Sequence, residues 1–348
     1  MKLSAFQPKI LGRQPQGQRL GRIKASDNYS SDHFKNIEAT KISFKQSSQL
    51  EMLRKYYFGN EIRAPRASLP SEKVNLHTLD DSTPAIVWFG HSSYLIKYKG
   101  KNILVDPVFS GYAAPVSFMV NSFKGSDPYT AEDMPNIDLL ILTHDHYDHM
   151  DYETLLQLRP KILKICTPLG VGEHLESWGY SAEIISELDW WQSHEVSVGI
   201  KLTATPARHF SGRTFLYHQT LWASFVLQID QTQIFIGGDS GYDEQFKKIG
   251  LEFGGFDLAV LECGQYGKDW PLIHMFPEQT AQAATDLNAR VLMPAHWGKF
   301  QLAFHAWYEP IVRLSDAAKK HKFELLTPKI GQATKIGQKI INSIWWES

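Results

Sequence analysis

The stretch THDHYDHMD, residues 143–151, sets three histidines and three aspartates in nine positions, directly behind the apolar run IDLLIL. A solvated connection draws mainly on Gly, Ser, Asn and Pro. A helix-capping loop needs one short acceptor side chain, and Asp151 suits that role for the helix that follows. Capping leaves the three histidines unexplained. His144 and His146 leave a strand end on the same side, because side chains alternate with period two. The loop then turns, so that Asp148 and His149 face a second point a few ångströms away. Imidazole and carboxylate are the donors that zinc and similar divalent ions take. The pattern H-x-H-x-D-H therefore predicts a metal centre.

A centre of this kind needs ligands from elsewhere in the chain. Three later segments offer one each behind an apolar strand: His209 in TATPARHFSGR, Asp239 in IFIGGDSGY and His296 in VLMPAHWGKF. The two glycines before Asp239 let backbone approach closely. Taken singly, His209 reads equally as a hydrogen-bonded loop histidine, Asp239 as a turn residue and His296 as a partner of Trp297. Four strand-end donor loops in one chain favour convergence on one site.

The chain has 348 residues, 43% of them hydrophobic, with a formal net charge of −1. That suffices for a large core and makes no electrostatic case for nucleic acid. Residues 1–80 read as an extension packed on the main domain, with a helix expected over SSQLEMLRKYYF (47–58). Residues 81–348 read as that main domain. AIVWFG, SYLIKYKG and KNILVDP predict strands, the last two joined by a tight turn at KGK. IDLLILT (137–143) is a buried strand, YETLLQLRP (152–160) a helix stopped by Pro160, and HEVSVGIKLTATPA a further strand segment. LWASFVLQID and TQIFIGGDS form a hairpin, and helices alternate with strands to a helix near 307–321, with more strands near 323–346. This rhythm predicts an α/β class, α+β sandwich fold: two mixed sheets packed face to face with helices outside. No internal sequence repeat is seen. Cys166 and Cys263 form no CxxC pair and read as reduced thiols. No apolar run is long enough to span a membrane, and the basic N-terminus lacks a signal-peptide centre. The expected location is cytoplasmic, with peripheral contact on the inner membrane face as an added option.

These residues resemble the metallo-β-lactamase superfamily, and the resemblance implies its αββα four-layer fold. It also implies His144, His146 and His209 on one ion, Asp148, His149 and His296 on a second, and Asp239 bridging. FGHSSYLIKYKGKNILVDPVFS, PARHFSGRT, LWASFVL, GGDSGY and PAHWGKF resemble, more narrowly, bacterial relatives of N-acylphosphatidylethanolamine-hydrolysing phospholipase D. That resemblance implies a phosphodiesterase with two zinc ions, manganese(II) or iron(II) being compatible, and a bridging hydroxide as nucleophile. The chain lacks a long membrane-facing N-terminal region, and IHMFPEQTA keeps His274 and Pro277-Glu278 with apolar residues between.

Asp148, Asp239 and His274 are the residues expected to take part in the reaction. His91 is expected to line the site or serve the strand end, and Asp106 to orient a metal-bound imidazole. Arg213 and Lys299, the basic groups nearest the metal loops, are expected either to meet a phosphate or to be surface charge. Tyr266 and Trp270 are expected beside the substrate, with Trp270 and Trp297 as an apolar wall. GYAAPVSFMVNSF (111–123) reads as a lid or acyl-contacting loop, or as core. The partners are a small-molecule or phospholipid substrate, and a homodimer is compatible. The competing functional readings are a zinc lactonase or other ester or amide hydrolase, an iron-dependent redox enzyme and a non-catalytic binding fold.

Overall fold

The computed structural model describes residues 8–41, 54, 59 and 61–347. The helix expected over 47–58 lies almost wholly outside the described residues.

Two seven-stranded mixed sheets face each other. The first contains β1 (Ala85–Trp88), β2 (Tyr94–Tyr98), β3 (Lys101–Val105) and β4 (Leu139–Ile141). It continues through β5 (Ile165–Pro168) and β6 (Ile185–Leu188). The second contains β7 (Ser193–Ser197), β8 (Ile200–Thr205), β9 (Ser224–Ile229) and β10 (Thr232–Ile236). Its remaining strands are β11 (Leu258–Glu262), β12 (Val291–Ala295) and β13 (Glu324–Leu325), while β14 (Ala333–Lys335) returns to the first sheet. The orders are β14-β1-β2-β3-β4-β5-β6 and β13-β12-β11-β10-β9-β8-β7. Both sheets run antiparallel through four strands and parallel through the other three. The antiparallel strands need only short turns, such as Lys99–Gly100, where both residues have positive φ and so match the twist of a two-residue hairpin. The parallel steps need crossovers, which supply the outer helices.

Alternation along each strand separates two cores. Ile86, Trp88, Tyr94, Ile96, Ile103 and Val105 point between the sheets, where they meet Leu202, Phe225 and Leu227. Val87, Leu95, Leu104 and Leu140 point outward beneath α2 (Tyr152–Leu158) and α3 (Gly172–Ser177), against Leu155, Leu158 and Leu175. The opposite outer layer is α4 (Gln245–Phe253), α5 (Pro277–Asp286) and α6 (Glu309–Ala318). The run HEVSVGIKLTATPA is two strands, because Gly199 at φ +78° reverses the chain between β7 and β8. The last expected strand region is only partly strand: β13 and β14 are short, and Trp345–Glu347 forms a 3-10 turn.

Upstream, α1 (Gly17–Lys24) buries Ile23. Its Arg19 reaches Glu173, Glu176 and Glu187 on and beside α3. Among the described residues no helix is long and apolar enough to cross a membrane.

Candidate metal centre

The C-terminal ends of β4, β8, β10 and β12 lead into the four predicted donor loops. After β4, the carbonyl of His146 accepts from the amides of His149 and Met150, closing the turn that brings Asp148 and His149 around. Asp151 ends the loop by accepting from the Glu153 amide at the start of α2, and also accepts from the Ser110 amide. After β10, Gly238 has φ +59°, and a Cβ there would stand 2.9 Å from the Thr143 side chain. Only glycine lets the Asp239 loop approach the histidine loop this closely.

The seven predicted ligands converge. His144 Nε2 lies 2.9 Å from His146 Nδ1, and His209 Nε2 lies 3.3 Å from the same atom. Asp239 Oδ2 completes this group at 3.8 Å from His144 Nε2 and 3.7 Å from His209 Nε2. The second group forms around Asp148 Oδ2, 3.1 Å from His296 Nε2 and 3.6 Å from His149 Nε2. Donors around one tetrahedral zinc stand roughly 3.3–3.7 Å apart, given bonds of about 2.0–2.3 Å. The observed spacings are close to those edges. His149 Nε2 and Asp239 Oδ1 are buried with no hydrogen-bond partner among the described residues, which suits groups whose lone pairs serve a cation. The residues present therefore fit two divalent ions.

Electrostatics point the same way. Burial and the neighbouring histidine His149 hold His144 well below the ordinary imidazole pKa, so the ring is neutral and one of its nitrogens has a lone pair to give. Burial also holds His209 well below it. Burial opposes charge on Asp148 and Asp239, yet His149 beside them drives both well below the usual carboxylate range. Burial likewise disfavours a charged His296, but Asp239, Asp148 and Glu262 raise it to about 10.

The ring nitrogens that face away from the site have partners of their own, as ligating imidazoles require. His149 Nδ1 is 2.8 Å from Asp106 Oδ2, and Asp106 is itself fixed by the amide and hydroxyl of Thr143. His209 Nδ1 donates to the Ile273 carbonyl at 2.9 Å. His91 lies wholly buried, its Nε2 2.9 Å from Asp148 Oδ2. Burial, with His296 nearby, lowers its pKa to about 3, so it is a neutral donor to that carboxylate. The backbones of His91 and His296 are also locked together: His296 N donates to His91 O, and His91 N to Trp297 O.

A cavity of about 310 Å³ opens over the centre. His146, Asp148, Asp239, His274 and His296 form its floor, with Phe210, Trp270, Ile273, Leu302 and Phe304 among its walls. Trp270 is thus where the sequence places it, whereas Trp297 is buried and packs on Trp88 and Trp345. Segment 111–123 lies next door. Phe118 and Met119 are exposed and line a second cavity of about 730 Å³, which meets the first at Leu302.

Three expectations are corrected. Arg213 neither lines the cavity nor sits on the surface: its buried guanidinium donates to the carbonyls of Asp145, Met150 and Ile10 and lies 4.2 Å from the Tyr147 ring centre. Lys299 is also buried, its ammonium bound to the carbonyls of Phe89 and Val108 and to Asp127. Both are spent on main-chain carbonyls that would otherwise be buried without a donor. Tyr266 faces a separate cavity behind Trp270 and donates to Glu309.

Sequence reasoning misses Glu262, the last residue of β11, which reaches both His274 and His296. A charged residue ending the apolar strand DLAVLE, level with three donor loops, is the signal. It also misses Asp145, buried against His174, Thr220 and the Gly212 amide.

Residues 101–297 match the family described as a beta-lactamase superfamily domain. The chain is 35% identical over 326 residues to an uncharacterised protein of Mycobacterium tuberculosis, covering 92% of this chain and 87% of that protein. It is 31% identical over 275 residues to N-acyl-phosphatidylethanolamine-hydrolyzing phospholipase D 1 of Caenorhabditis elegans, covering 72% of this chain and 77% of the relative. Among solved structures, the metallo hydrolase Igni18 of Ignicoccus hospitalis superimposes with a TM-score of 0.58 at 20% identity. The match covers 74% of this chain and all (100%) of that one, and bears on the fold alone. With its two mixed sheets, its strand-end donor loops and these relatives, the chain belongs to the metallo-β-lactamase superfamily, in the branch related to the N-acylphosphatidylethanolamine-hydrolysing phospholipases D.

Proposed function

We propose that the chain is a metal-dependent hydrolase whose centre takes two zinc ions and cleaves phosphodiesters of the phospholipase D type. The observation that carries this reading is the reach of one carboxylate to both donor groups. Asp239 lies 3.7–3.8 Å from Nε2 of His209 and His144 on one side, and 3.2 Å from Nε2 of His149 on the other. Paired divalent ions make water acidic near neutral pH and polarise a phosphoryl or carbonyl oxygen.

This chain's residues supply the rest. Asp148 and Asp239 reach the cavity floor, and either carboxylate can take the proton that the attacking water gives up. His274, tied through Nδ1 to Glu262 at 2.6 Å, presents its other edge to the substrate. Gln265 lines the cavity but is spent on structure: its side chain binds the carbonyls of His296 and Phe300 and the amides of Leu302 and Ala303. Phe210, Trp270, Ile273, Leu302 and Phe304 exclude water and suit an apolar chain. The named activities of the nematode relative and of a yeast relative, 32% identical over 262 residues, support a lipid phosphodiester.

One observation favours a second reading, a lactonase or other ester hydrolase. No Lys or Arg is among the described residues lining the cavity, so a phosphate meets no cationic side chain there. Metal analysis of protein purified without added metal tests the dinuclear centre. Turnover of lipid and soluble phosphodiesters against lactones by the zinc-loaded protein tests the substrate. Two zinc ions per chain and preference for the diester are expected; lactone preference reverses the order of the readings.

A further inference from the structure

Glu262 is wholly surrounded by hydrogen-bond donors. Its Oε2 lies 2.6 Å from His274 Nδ1 and 3.2 Å from His296 Nδ1. Its Oε1 lies 2.7 Å from the Ser240 amide and 3.4 Å from that of Met275. Three stretches of chain thus meet at one side chain: the turn after Asp239, the loop of His274 and the end of β12. A carboxylate is the only side-chain group here that accepts from both sides at once. The two main-chain amides cannot be anything but donors. Both imidazoles therefore keep a proton on Nδ1, so Nε2 is the nitrogen that has the lone pair once the ring is neutral. For His296 that is the atom beside Asp148, where a metal ligand must be unprotonated. For His274 it is the ring nitrogen left for the cavity.

We propose that Glu262 is a shared tautomer-fixing carboxylate, a positioning residue that makes His296 an Nε2 ligand and His274 an Nε2 hydrogen-bond acceptor toward the substrate. The proposal rests on the metal-centre reading for His296, and stands apart from it for His274. It also narrows the substrate class, because an acceptor at the cavity floor selects molecules with an N–H or O–H donor near the scissile bond.

An amide cannot replace Glu262. If the amide oxygen faces the histidines, its NH2 meets the Ser240 N–H. If it faces Ser240, the NH2 meets both imidazoles and drives their protons to Nε2. Glu262→Gln should therefore weaken the second ion by about 10–100-fold, as loss of an orienting partner does, while the first ion at His144, His146 and His209 binds within about twofold of wild type.

The test has two arms. Imidazole ¹⁵N spectra of the wild-type protein, with and without zinc, read the tautomers of His274 and His296 directly and need no variant. Stepwise zinc affinities of wild type and Glu262→Gln, by competition with a chromophoric chelator, read the effect on each ion. Nδ1–H tautomers in the wild type and selective loss of the second ion are expected. Nε2–H at both histidines in the wild type overturns the proposal, as does a Glu262→Gln protein that binds both ions normally. If the wild type takes up no zinc, the metal-centre reading falls, while the spectra of the metal-free protein still decide whether Glu262 holds the proton of His274 on Nδ1.

Discussion

Asp239 Oδ2 stands 3.2 Å from His149 Nε2, and neither His149 Nε2 nor Asp239 Oδ1 has a hydrogen-bond partner among the described residues. These two residues come from loops 90 positions apart and join the two donor groups at one point. Asp239 is the side chain that spans both groups, whereas His91 supports the centre through its bond to Asp148 and its packing on His296. Asp239→Ala should bind at most one ion and lose at least about 10³-fold in activity, the upper range for one preorganised electrostatic group. His91→Ala should lose about 10–100-fold, the usual effect of removing an orienting partner. Metal content and kcat/KM on one substrate check both; full metal content with unchanged rate in Asp239→Ala would refute the bridging role.

Arg213 acts as a clamp. Its guanidinium ties Asp145 and Met150 in the histidine loop to Ile10 in the N-terminal segment. Arg213→Met keeps some stem packing but strips these buried carbonyls of donors, each worth about 1–3 kcal/mol. A loss of about 2–4 kcal/mol in urea unfolding is expected, with KM for phosphodiesters unchanged in the folded fraction. A large rise in KM at normal stability would restore Arg213 as a phosphate ligand.

His218 packs near Trp222, 5.3 Å between ring centres, and 5.9 Å from His33. Burial, and then His33, lowers its pKa to about 4 from the ordinary 6.5. Between those values the unfolded chain binds the proton and the folded chain does not, so stability falls as pH drops. The contribution is full above about pH 6.5 and is lost as pH falls toward 4. In His218→Phe this part of the slope is absent. Urea midpoints at pH 7 and pH 4.5 should converge between wild type and variant, or cross, on acidification. A constant difference between the two proteins rules out this contribution.

The fold and the ligand set were legible for one reason. Apolar strands of three to six residues, each followed by a loop with His or Asp, carry the same signal four times, and His209, Asp239 and His296 need only proximity to HxHxDH. Asp106 was legible because a lone carboxylate after the strand KNILV has little else to do; it sits 2.8 Å from His149 Nδ1. Glu262 was harder, since nothing local separates a strand-end glutamate that faces the core from one that faces water. Arg213 and Lys299 were misread because nearness in sequence to a ligand loop says nothing about direction. Both turn inward, where irregular loops leave carbonyls that β-ladders do not use. The contacts of the N-terminal segment, expected to pack on the main domain, were invisible for the same reason: Arg19 needs three glutamates, two of them on α3, that only the fold brings together.

The substrate prediction follows from the cavity's walls. Trp270 and Phe304 stand on one side and Phe210 and Ile273 add apolar surface, while Leu302 leads into the 730 Å³ cavity edged by Phe118 and Met119. An acyl chain laid along this path gains about 0.8 kcal/mol per buried methylene, close to fourfold in affinity. A short lactone gains none of it. For phosphodiesters that share one reacting centre but differ in acyl length, kcat/KM should climb with each methylene until the chain leaves the walls. Trp270→Ala should flatten the early part of that climb and leave the shortest diester within a few-fold of wild type. Leu302→Arg, placed where the cavities meet, should cut off only the longer chains. If kcat/KM is flat with length in the wild type while a short lactone turns over faster, the apolar walls serve packing, and the ester reading replaces the lipid phosphodiester.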